Sequence, residues 1–365
     1  SDYQRREKRM KSRSMRVVAS IILGALGTYA SSAQAWDHPG HMTTAAIAYI
    51  EVERERPELM DKIGLLFLVH PEAAPFWVAA GAARGKEATR RKFIECARFA
   101  DDIKFTATDE PNWHTARWPI IAKDAPPEAV AAAEARQGKP AGQAIDALTL
   151  NYAMVANPET SPKDRARALC WVFHTMGDLH QPMHVSDLFS ADFPAGNASG
   201  SMSYVEDPVT EKPIPLHILW DQNALRSPKL EDVDRYTADL MKKHPRSSLP
   251  QLKDHPFNGA DSFTEWARES YQIAAGFAYD GVETVPDPDL GQNTDRLIKN
   301  MVKYVLEGIA PVDEAPNLPA GYWEKLQLTA EQRIALAGYR MADLILTAAD
   351  NIEAQRKYLG DHRPQ

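Results

Sequence analysis

Histidine and aspartate side chains recur four residues apart in two short segments of this chain. The first segment, WVFHTMGDLHQPMH, contains His174 and Asp178, and the second, LHILWD, contains His217 and Asp221. Residues four apart share one face of a helix. One such pair is usually a hydrogen bond along a helix, whereas two pairs and a further histidine, His184, within 48 residues favour a metal site. Neutral imidazole and carboxylate are the usual ligands of a hydrolytic zinc ion.

Two upstream segments carry further candidate ligands. CARFADDIK places Asp101 near the end of a helical pattern, and NWHTARW contains His114 between two tryptophans. Adjacent carboxylates at a helix end are also typical of a solvated surface, and a histidine among aromatic residues is also typical of a packed core. These two segments alone therefore leave open both a metal site and an ordinary structural role.

Helical periodicity covers most of the chain that would position these side chains. Apolar residues recur at helical spacing, and a Ser-Pro pair at 161–162 is typical of a helix start. The stretch 190–215 is instead rich in glycine and proline, which predicts an irregular loop with a short hairpin near 202–205. We find no fixed repeat and no dividing linker, so we expect an all-α fold in a single domain. The predicted helices are 40–55, 86–101, 126–137, 142–156, 161–179, 231–243, 262–278, 293–306 and 329–356, with another beginning at Leu216.

The first 35 residues have the pattern of a signal peptide. Seven basic residues lie within 1–16, a short apolar run covers 17–26, and Ala33-Gln34-Ala35 matches the small-x-small rule for cleavage. The apolar run is shorter than the about 20 residues that a transmembrane helix needs, and an uncleaved anchor is the alternative. We expect cleavage before Trp36, a secreted or periplasmic protein with no membrane anchor after cleavage, and one domain over 36–365.

Charge limits the ways in which this chain can hold a polyanion. Residues 36–365 contain 35 lysines and arginines against 48 aspartates and glutamates, a formal net charge of −13. Such a surface does not attract polyanions unaided, so a protein that binds nucleic acid would need positive charge from a source other than lysine and arginine. The two cysteines, Cys96 and Cys170, allow at most one disulfide, and the sequence leaves open both a bridge and two buried free thiols.

Taken in order, these motifs resemble those of nucleases P1 and S1, the zinc-dependent single-strand nucleases and 3′-nucleotidases that share a fold with bacterial zinc phospholipase C. The resemblance begins with Trp36, followed five residues later by His41, and continues through the Ala-Asp-Asp and Trp-His segments. Its most specific part is the H-x-x-G-D-x-x-Q-P-x-H block with L-H-x-x-W-D after it, and AGYRMADLI at 337–345 is similar to the family's last helix. It implies a mainly helical catalytic domain of the phospholipase C/nuclease P1 type.

The resemblance also implies three Zn²⁺ ions held in one cleft. All nine positions expected to bind metal carry a suitable residue. Trp36 would bind through its own amino nitrogen and carbonyl oxygen, which requires a free amine and therefore cleavage directly before it. The implied first site comprises Asp101, His114, His174 and Asp178, the second comprises His184, His217 and Asp221, and the third comprises Trp36, His41 and the shared Asp178.

By the same resemblance, the protein would hydrolyse single-stranded DNA or RNA and 3′-nucleotides at the P–O3′ bond with a zinc-bound hydroxide, leaving 5′-phosphates. Asp101, Asp178 and Lys104 would serve catalysis, and Lys104, Thr115 and Asn197 would contact substrate. Lys104 falls where the family often has a phosphate-facing arginine, and a plain surface lysine is the alternative. The partners would be nucleic acid and nucleotides, and we expect a monomer.

Two other functions are open from the sequence. In the phospholipase C branch the last ligand is usually glutamate, whereas Asp221 is the nuclease-like choice. A zinc-buffering or structural site is normally closed by four cysteine or histidine ligands, whereas this chain offers mixed aspartate and histidine ligands with one shared carboxylate. The ligand types therefore favour the nuclease.

Overall fold

Helices dominate the structure, a computed structural model that describes residues 37–223 and 225–361. The expected signal peptide and Trp36 lie outside the described residues. Among these residues, the helices lack the combination of length and hydrophobicity that a membrane-spanning segment needs. The fourteen α-helices of the described ranges are α1 His38–Glu55, α2 Glu58–Leu68, α3 Ala74–Ala80, α4 Gly85–Cys96, α5 Phe99–Asp102, α6 Pro127–Glu134, α7 Ala144–Ala156, α8 Pro162–His180, α9 Leu216–Asp221, α10 Leu230–Lys243, α11 Gln251–Asp254, α12 Asp261–Ile273, α13 Thr294–Glu307 and α14 Tyr322–Asp361.

Five short strands form two small sheets beside the helices. β1 (Trp118–Ile121) pairs in parallel with β2 (Ser186–Phe189), a pairing that the periodicity does not predict. β3 (Ser203–Glu206) pairs antiparallel with β4 (Pro213–Pro215) and with β5 (Val285–Pro286). The expected hairpin is therefore present, and the mainly helical fold class is confirmed.

Helix α8 lies at the centre of the fold. Its first turn is fixed by Ser161, whose Oγ accepts a hydrogen bond from the Asp164 amide at 3.2 Å, and by the proline that follows Ser161. Every residue from 168 to 180 is buried. Because a helix buried on all sides has no face in water, its polar residues His174 and Asp178 need partners inside the protein.

Helix α14 crosses α1 at a close contact. A Cβ atom on Gly338 would lie 2.7 Å from the Ile47 Cβ and 2.9 Å from the Thr44 carbonyl oxygen. Glycine therefore lets the two helices approach at this point. His41 lies one turn before Thr44, so the crossing holds a candidate ligand against the core.

Cys96 and Cys170 form a disulfide, so the bridge is the alternative that the structure contains. The bond joins the last residue of α4 to α8 across 74 residues of sequence. α5 follows shortly after Cys96, and His174 lies one turn after Cys170. The bridge therefore ties together two elements that carry candidate ligands.

The single helix expected over 86–101 is wrong, because α4 and α5 are separated by a turn. The Asp101 amide donates to the Arg98 carbonyl at 3.0 Å. In an unbroken helix that amide would donate to the Ala97 carbonyl, which here lies 2.8 Å from His174 Nδ1 instead. A contact with a distant buried histidine replaces a local helical bond, and periodicity carries no sign of it. The periodicity also misses α2 and α3.

Candidate metal centre

Eight buried histidine and aspartate side chains converge at one place in the fold. They come from α1, α5, α8, α9 and the two 3₁₀ turns Pro111–His114 and Pro182–Val185. Each has 7% or less of its surface exposed. They are the eight predicted metal ligands that lie within the described residues, namely His41, Asp101, His114, His174, Asp178, His184, His217 and Asp221.

These side chains form three groups, and within each group the ligand atoms lie within 4.8 Å of one another. In order, the groups are His41, Asp101 and His174; His114, His174 and Asp178; and His184, His217 and Asp221. The first group places His41 with Asp101, whereas the resemblance places His41 with Asp178. The second group contains three of the four residues expected for the first zinc, and the third group is the set expected for the second zinc.

Asp178 belongs to the second group and also faces His41 of the first. Its Oδ1 is 3.3 Å from His41 Nε2, and its Oδ2 is 3.4 Å from both His114 Nδ1 and His174 Nε2. The His41 ring also stacks on the His174 ring, with centroids 3.9 Å apart. One carboxylate thus presents an oxygen to each side, which is the geometry that a carboxylate shared by two ions requires.

His184 and His217 form a second pair of facing rings. Their Nε2 atoms lie 2.9 Å apart, and Asp221 oxygens lie 3.4 Å from His217 Nε2 and 3.8 Å from His184 Nε2. Gln181 Nε2 donates to Asp221 Oδ1 at 2.6 Å and so fixes that carboxyl group. The Asp37 amide donates to the Asp221 carbonyl at 3.2 Å, which brings the beginning of the described chain to this group.

Backbone carbonyl groups fix the tautomers of three of these histidines. A carbonyl oxygen only accepts, so Nδ1 of each ring carries the hydrogen, and Nε2 of a neutral ring keeps its lone pair. Backbone support of this kind is typical of histidines that bind metal. The Nδ1 donors and their carbonyl acceptors are His174 to Ala97 at 2.8 Å, His184 to His114 at 2.7 Å and His217 to Ser199 at 2.8 Å.

Burial sets the charges of these groups. It lowers the pKa of His174 and that of His217 to about 3, and it lowers the pKa of His184 well below the ordinary value. Burial also raises the pKa of Asp178 and the pKa of Asp221 well above the usual range of a carboxyl group. At neutral pH the rings are therefore uncharged, and the two carboxyl groups lie where a negative charge is disfavoured unless a cation compensates it.

Several buried polar atoms of the cluster have no hydrogen-bond partner within the described residues. Such atoms cost free energy unless something satisfies them. A cation among them would do so, and nitrogen with carboxylate oxygen is the donor set of hydrolytic zinc. Three protein atoms per ion, as in each of these groups, would also leave a fourth position for water or substrate, as a catalytic site requires. The atoms without a hydrogen bond include both ring nitrogens of His41, Nε2 of His114, both oxygens of Asp178 and Oδ2 of Asp221.

Lys104 lies at the edge of the cluster, with its Nζ 2.6 Å from Asp101 Oδ1. Thr115 and Asn197, the other residues expected to touch substrate, are both buried. The Asn197 Oδ1 accepts from two backbone amides, those of residues 188 and 200, at 3.0 Å each, and so holds the loop after β2 together. The structure brings Lys104 to the site and encloses the other two side chains, and their contacts with substrate stay predictions.

Two residues that hold Asp221 in place were not predicted from the sequence. Gln181 fixes Asp221, and its place inside the H-x-x-G-D-x-x-Q-P-x-H block was the available signal. Asp37 directly follows the predicted ligand Trp36, but nothing in the sequence indicates that its amide bonds to the Asp221 carbonyl, 184 positions away.

This chain is similar to known proteins both as a family and as an individual relative. The family model described as S1/P1 Nuclease matches residues 36–350, a range that holds all nine predicted ligands. Nuclease S1 of Aspergillus oryzae is 26% identical over 249 residues, which cover 67% of this chain and 75% of the fungal protein.

Proposed function

The chain belongs to the S1/P1 nuclease family, and from this premise we propose that it is a zinc-dependent phosphodiesterase that cleaves single-stranded DNA or RNA and 3′-nucleotides. The proposed zinc dependence is supported by the facing pair of Nε2 atoms in His184 and His217, which lie 2.9 Å apart. Each neutral ring donates its only N–H to a backbone carbonyl. Neither ring has a hydrogen left for the other, so the two lone pairs repel unless a cation lies beside them.

We assign three Zn²⁺ ions to the cluster, with the ligand sets that the resemblance implies. Asp178 would be shared, because its two oxygens face different histidines. Trp36 would complete the third set through its amine and carbonyl oxygen, and the Asp37–Asp221 backbone bond supports a chain start near the cluster. A free amine at Trp36 requires removal of residues 1–35, so we also propose a secreted or periplasmic protein without a membrane anchor. We propose separately that it acts as a monomer.

The reaction proposed is hydrolysis of the P–O3′ bond, which leaves a 5′-phosphate on one product and a 3′-hydroxyl on the other. Zinc, when bound, supplies a water of lowered pKa and positive charge for the phosphate oxygens. The chain orients this chemistry through Asp178 and through Gln181, which holds Asp221 in place. Lys104 would offer its ammonium to a phosphate oxygen from its position beside Asp101.

We further propose that Phe105 provides a surface on which a nucleobase stacks. It directly follows Lys104, its side chain is 62% exposed, and its φ is 66°. A left-handed backbone costs about 1–2 kcal/mol in a residue with a side chain, and burial of a mostly exposed ring offsets little of that cost. Stacking on such a ring requires an unpaired base, which supports a single-stranded substrate.

A side-by-side assay tests this function. Zinc-loaded protein that begins at Trp36 would be incubated with single-stranded DNA, duplex DNA, RNA, 3′-AMP and phosphatidylcholine, and His217→Ala would serve as the control. We expect cleavage of single strands and RNA with 5′-phosphate ends, release of phosphate from 3′-AMP, and weak action on duplex. Hydrolysis of phosphatidylcholine alone, or of no substrate by zinc-loaded protein, would overturn the proposal.

A further inference from the structure

The end of α8 is held by buried side chains from two distant helices. The last carbonyl groups of a helix have no partner within it. Here Ser270 Oγ on α12 donates to the Leu179 carbonyl at 2.6 Å, and Arg333 Nε on α14 donates to the His180 carbonyl at 3.1 Å. Ser270 is fully buried and Arg333 is 3% exposed.

Arg333 is itself held in place on three sides. One guanidinium nitrogen donates to Glu269 at 2.8 Å, and the other donates to Ser270 Oγ at 2.7 Å and to the Trp266 carbonyl at 3.3 Å. Arg340, which is 1% exposed, donates to the same Glu269 at 2.7 Å. We name this set of Glu269, Ser270, Arg333 and Arg340 the α8 clamp.

His180 joins the α8 clamp without being a candidate metal ligand. Its Nδ1 lies 2.7 Å from the Met176 carbonyl oxygen and therefore carries the hydrogen. Its Nε2 then accepts from Arg340 at 2.9 Å.

The clamped carbonyl groups lie between two candidate metal ligands. Asp178 precedes Leu179 directly, and His184 follows after the chain turns at Pro182. The segment 179–182 therefore forms most of the covalent connection from Asp178 to His184. A shift of this segment would move one group relative to the other.

The composition of the α8 clamp favours a positioning role over a purely stabilising one. Replacing a buried ion pair by well-packed apolar side chains is often neutral or stabilising, so stability alone is a weak reason for two buried arginines. What apolar side chains lack is a directed donor to a chosen carbonyl oxygen. Ser270 and Arg333 provide such donors at the two successive residues that follow Asp178.

We propose that Ser270 and Arg333 are positioning residues that hold the end of α8 so that Asp178 and His184 stand at the spacing that the metal cluster needs. The inference rests on the proposed function, because it concerns the same zinc ions. Metal ligands lose about 10–100-fold in affinity when the groups that orient them are removed. We therefore expect Ser270→Ala to bind zinc about tenfold more weakly and to have a lower kcat at saturating zinc, with KM little changed.

Ser262→Ala is the matched control. Ser262 lies on the same helix, is 2% exposed, and accepts a hydrogen bond from the Asn258 amide at 2.8 Å, away from α8. The experiment measures the Tm of each metal-free protein, zinc affinity by competition with a chelator, and kcat and KM on a single-stranded oligonucleotide. Ser262→Ala should lower the Tm only. Arg333→Lys keeps the charge beside Glu269 and is the variant to measure if Ser270→Ala does not fold.

The outcomes separate the two claims. Wild-type protein that neither binds zinc nor cleaves a single strand contradicts the proposed function. Wild-type protein that does both, together with a Ser270→Ala variant (or Arg333→Lys, if Ser270→Ala does not fold) that matches Ser262→Ala in zinc affinity and kcat, contradicts the positioning role and leaves the proposed function standing.

Discussion

The Nε2 atoms of His184 and His217 lie 2.9 Å apart, while the Nδ1 atom of each ring is hydrogen bonded to a backbone carbonyl. Because neither ring can donate to the other, the pair is favourable only with a cation beside it. The nearest carboxyl group, that of Asp221, is fixed by Gln181 at 2.6 Å and completes a site of two nitrogens and one oxygen donor. This relationship makes metal content the quantity on which most of the predictions depend.

Removal of metal should destabilise the protein as well as inactivate it. Ligands from α1, α5, α8 and α9 meet at the cluster, and an ion that binds only the folded state at about 1,000 times its Kd adds about 4 kcal/mol. Calorimetry with and without a chelator should show a lower Tm after zinc removal. His217→Ala should respond less to the chelator, and an unchanged Tm in the wild type would count against a metal cluster.

Asp178→Asn should remove more zinc than His217→Ala does. Asp178 faces two groups of histidines, whereas His217 belongs to one group. Losing a ligand shared by two ions should lower zinc content by about two per chain and abolish cleavage, whereas losing His217 should lower it by about one. Both variants would be dialysed against metal-free buffer and analysed for zinc. Equal losses in both would contradict the sharing of Asp178.

Phe105→Gly should separate stability from substrate binding. Glycine adopts a φ of 66° without strain, and the lost ring is 62% exposed, so the Tm should stay the same or rise. Loss of base stacking should raise KM for single-stranded DNA by about 5–150-fold, since stacking contributes about 1–3 kcal/mol per base. Phe105→Tyr should retain the wild-type KM. A KM unchanged in the glycine variant would show that the ring does not touch substrate.

The two i to i+4 pairs were predictable because both ligands lie on one helix, where sequence spacing fixes their relative position. The H-x-x-G-D-x-x-Q-P-x-H block also predicted His184 as a metal ligand, although a turn separates it from Asp178. The break between α4 and α5 was not predictable, because the Ala97 carbonyl bonds to a histidine 77 residues away. Partners on other helices, such as Arg333 for the end of α8, depend on packing that no local pattern encodes.

Opening the Cys96–Cys170 bridge should lower the free energy of unfolding by about 2–4 kcal/mol, because the bond restricts a long loop in the unfolded chain. Zinc affinity should also fall, since the bridge joins α4 to α8 close to Asp101 and His174. Urea unfolding of wild type and of a Cys96→Ala/Cys170→Ala variant, each with and without zinc, measures both effects. A variant as stable as wild type would show that packing alone holds these helices.

The free energy of unfolding should decrease as the pH falls, partly because His70 titrates differently in the folded and unfolded chains. Burial lowers the pKa of His70 to about 4, with the charge of Arg167 as the next cause, while an unfolded histidine has a pKa of about 6.5. Between these values the unfolded chain binds more protons, so stability is lost as the pH falls from 6.5 towards 4. His70→Asn keeps an acceptor near the Glu72 amide but does not titrate. Urea unfolding of metal-free protein at pH 7 and 4.5 should show a smaller loss in the variant, and equal losses would exclude His70 as a cause.

The zinc content of the protein that begins at Trp36 tests the assignment of three zinc ions. After dialysis against metal-free buffer, elemental analysis would give the number of zinc ions per chain, and the same protein with one glycine before Trp36 would serve as the comparison. We expect three ions per chain in the first protein and two in the second, because an amide nitrogen is a poor metal ligand. Cleavage of single-stranded DNA by a protein that holds no zinc would contradict the zinc-dependent mechanism.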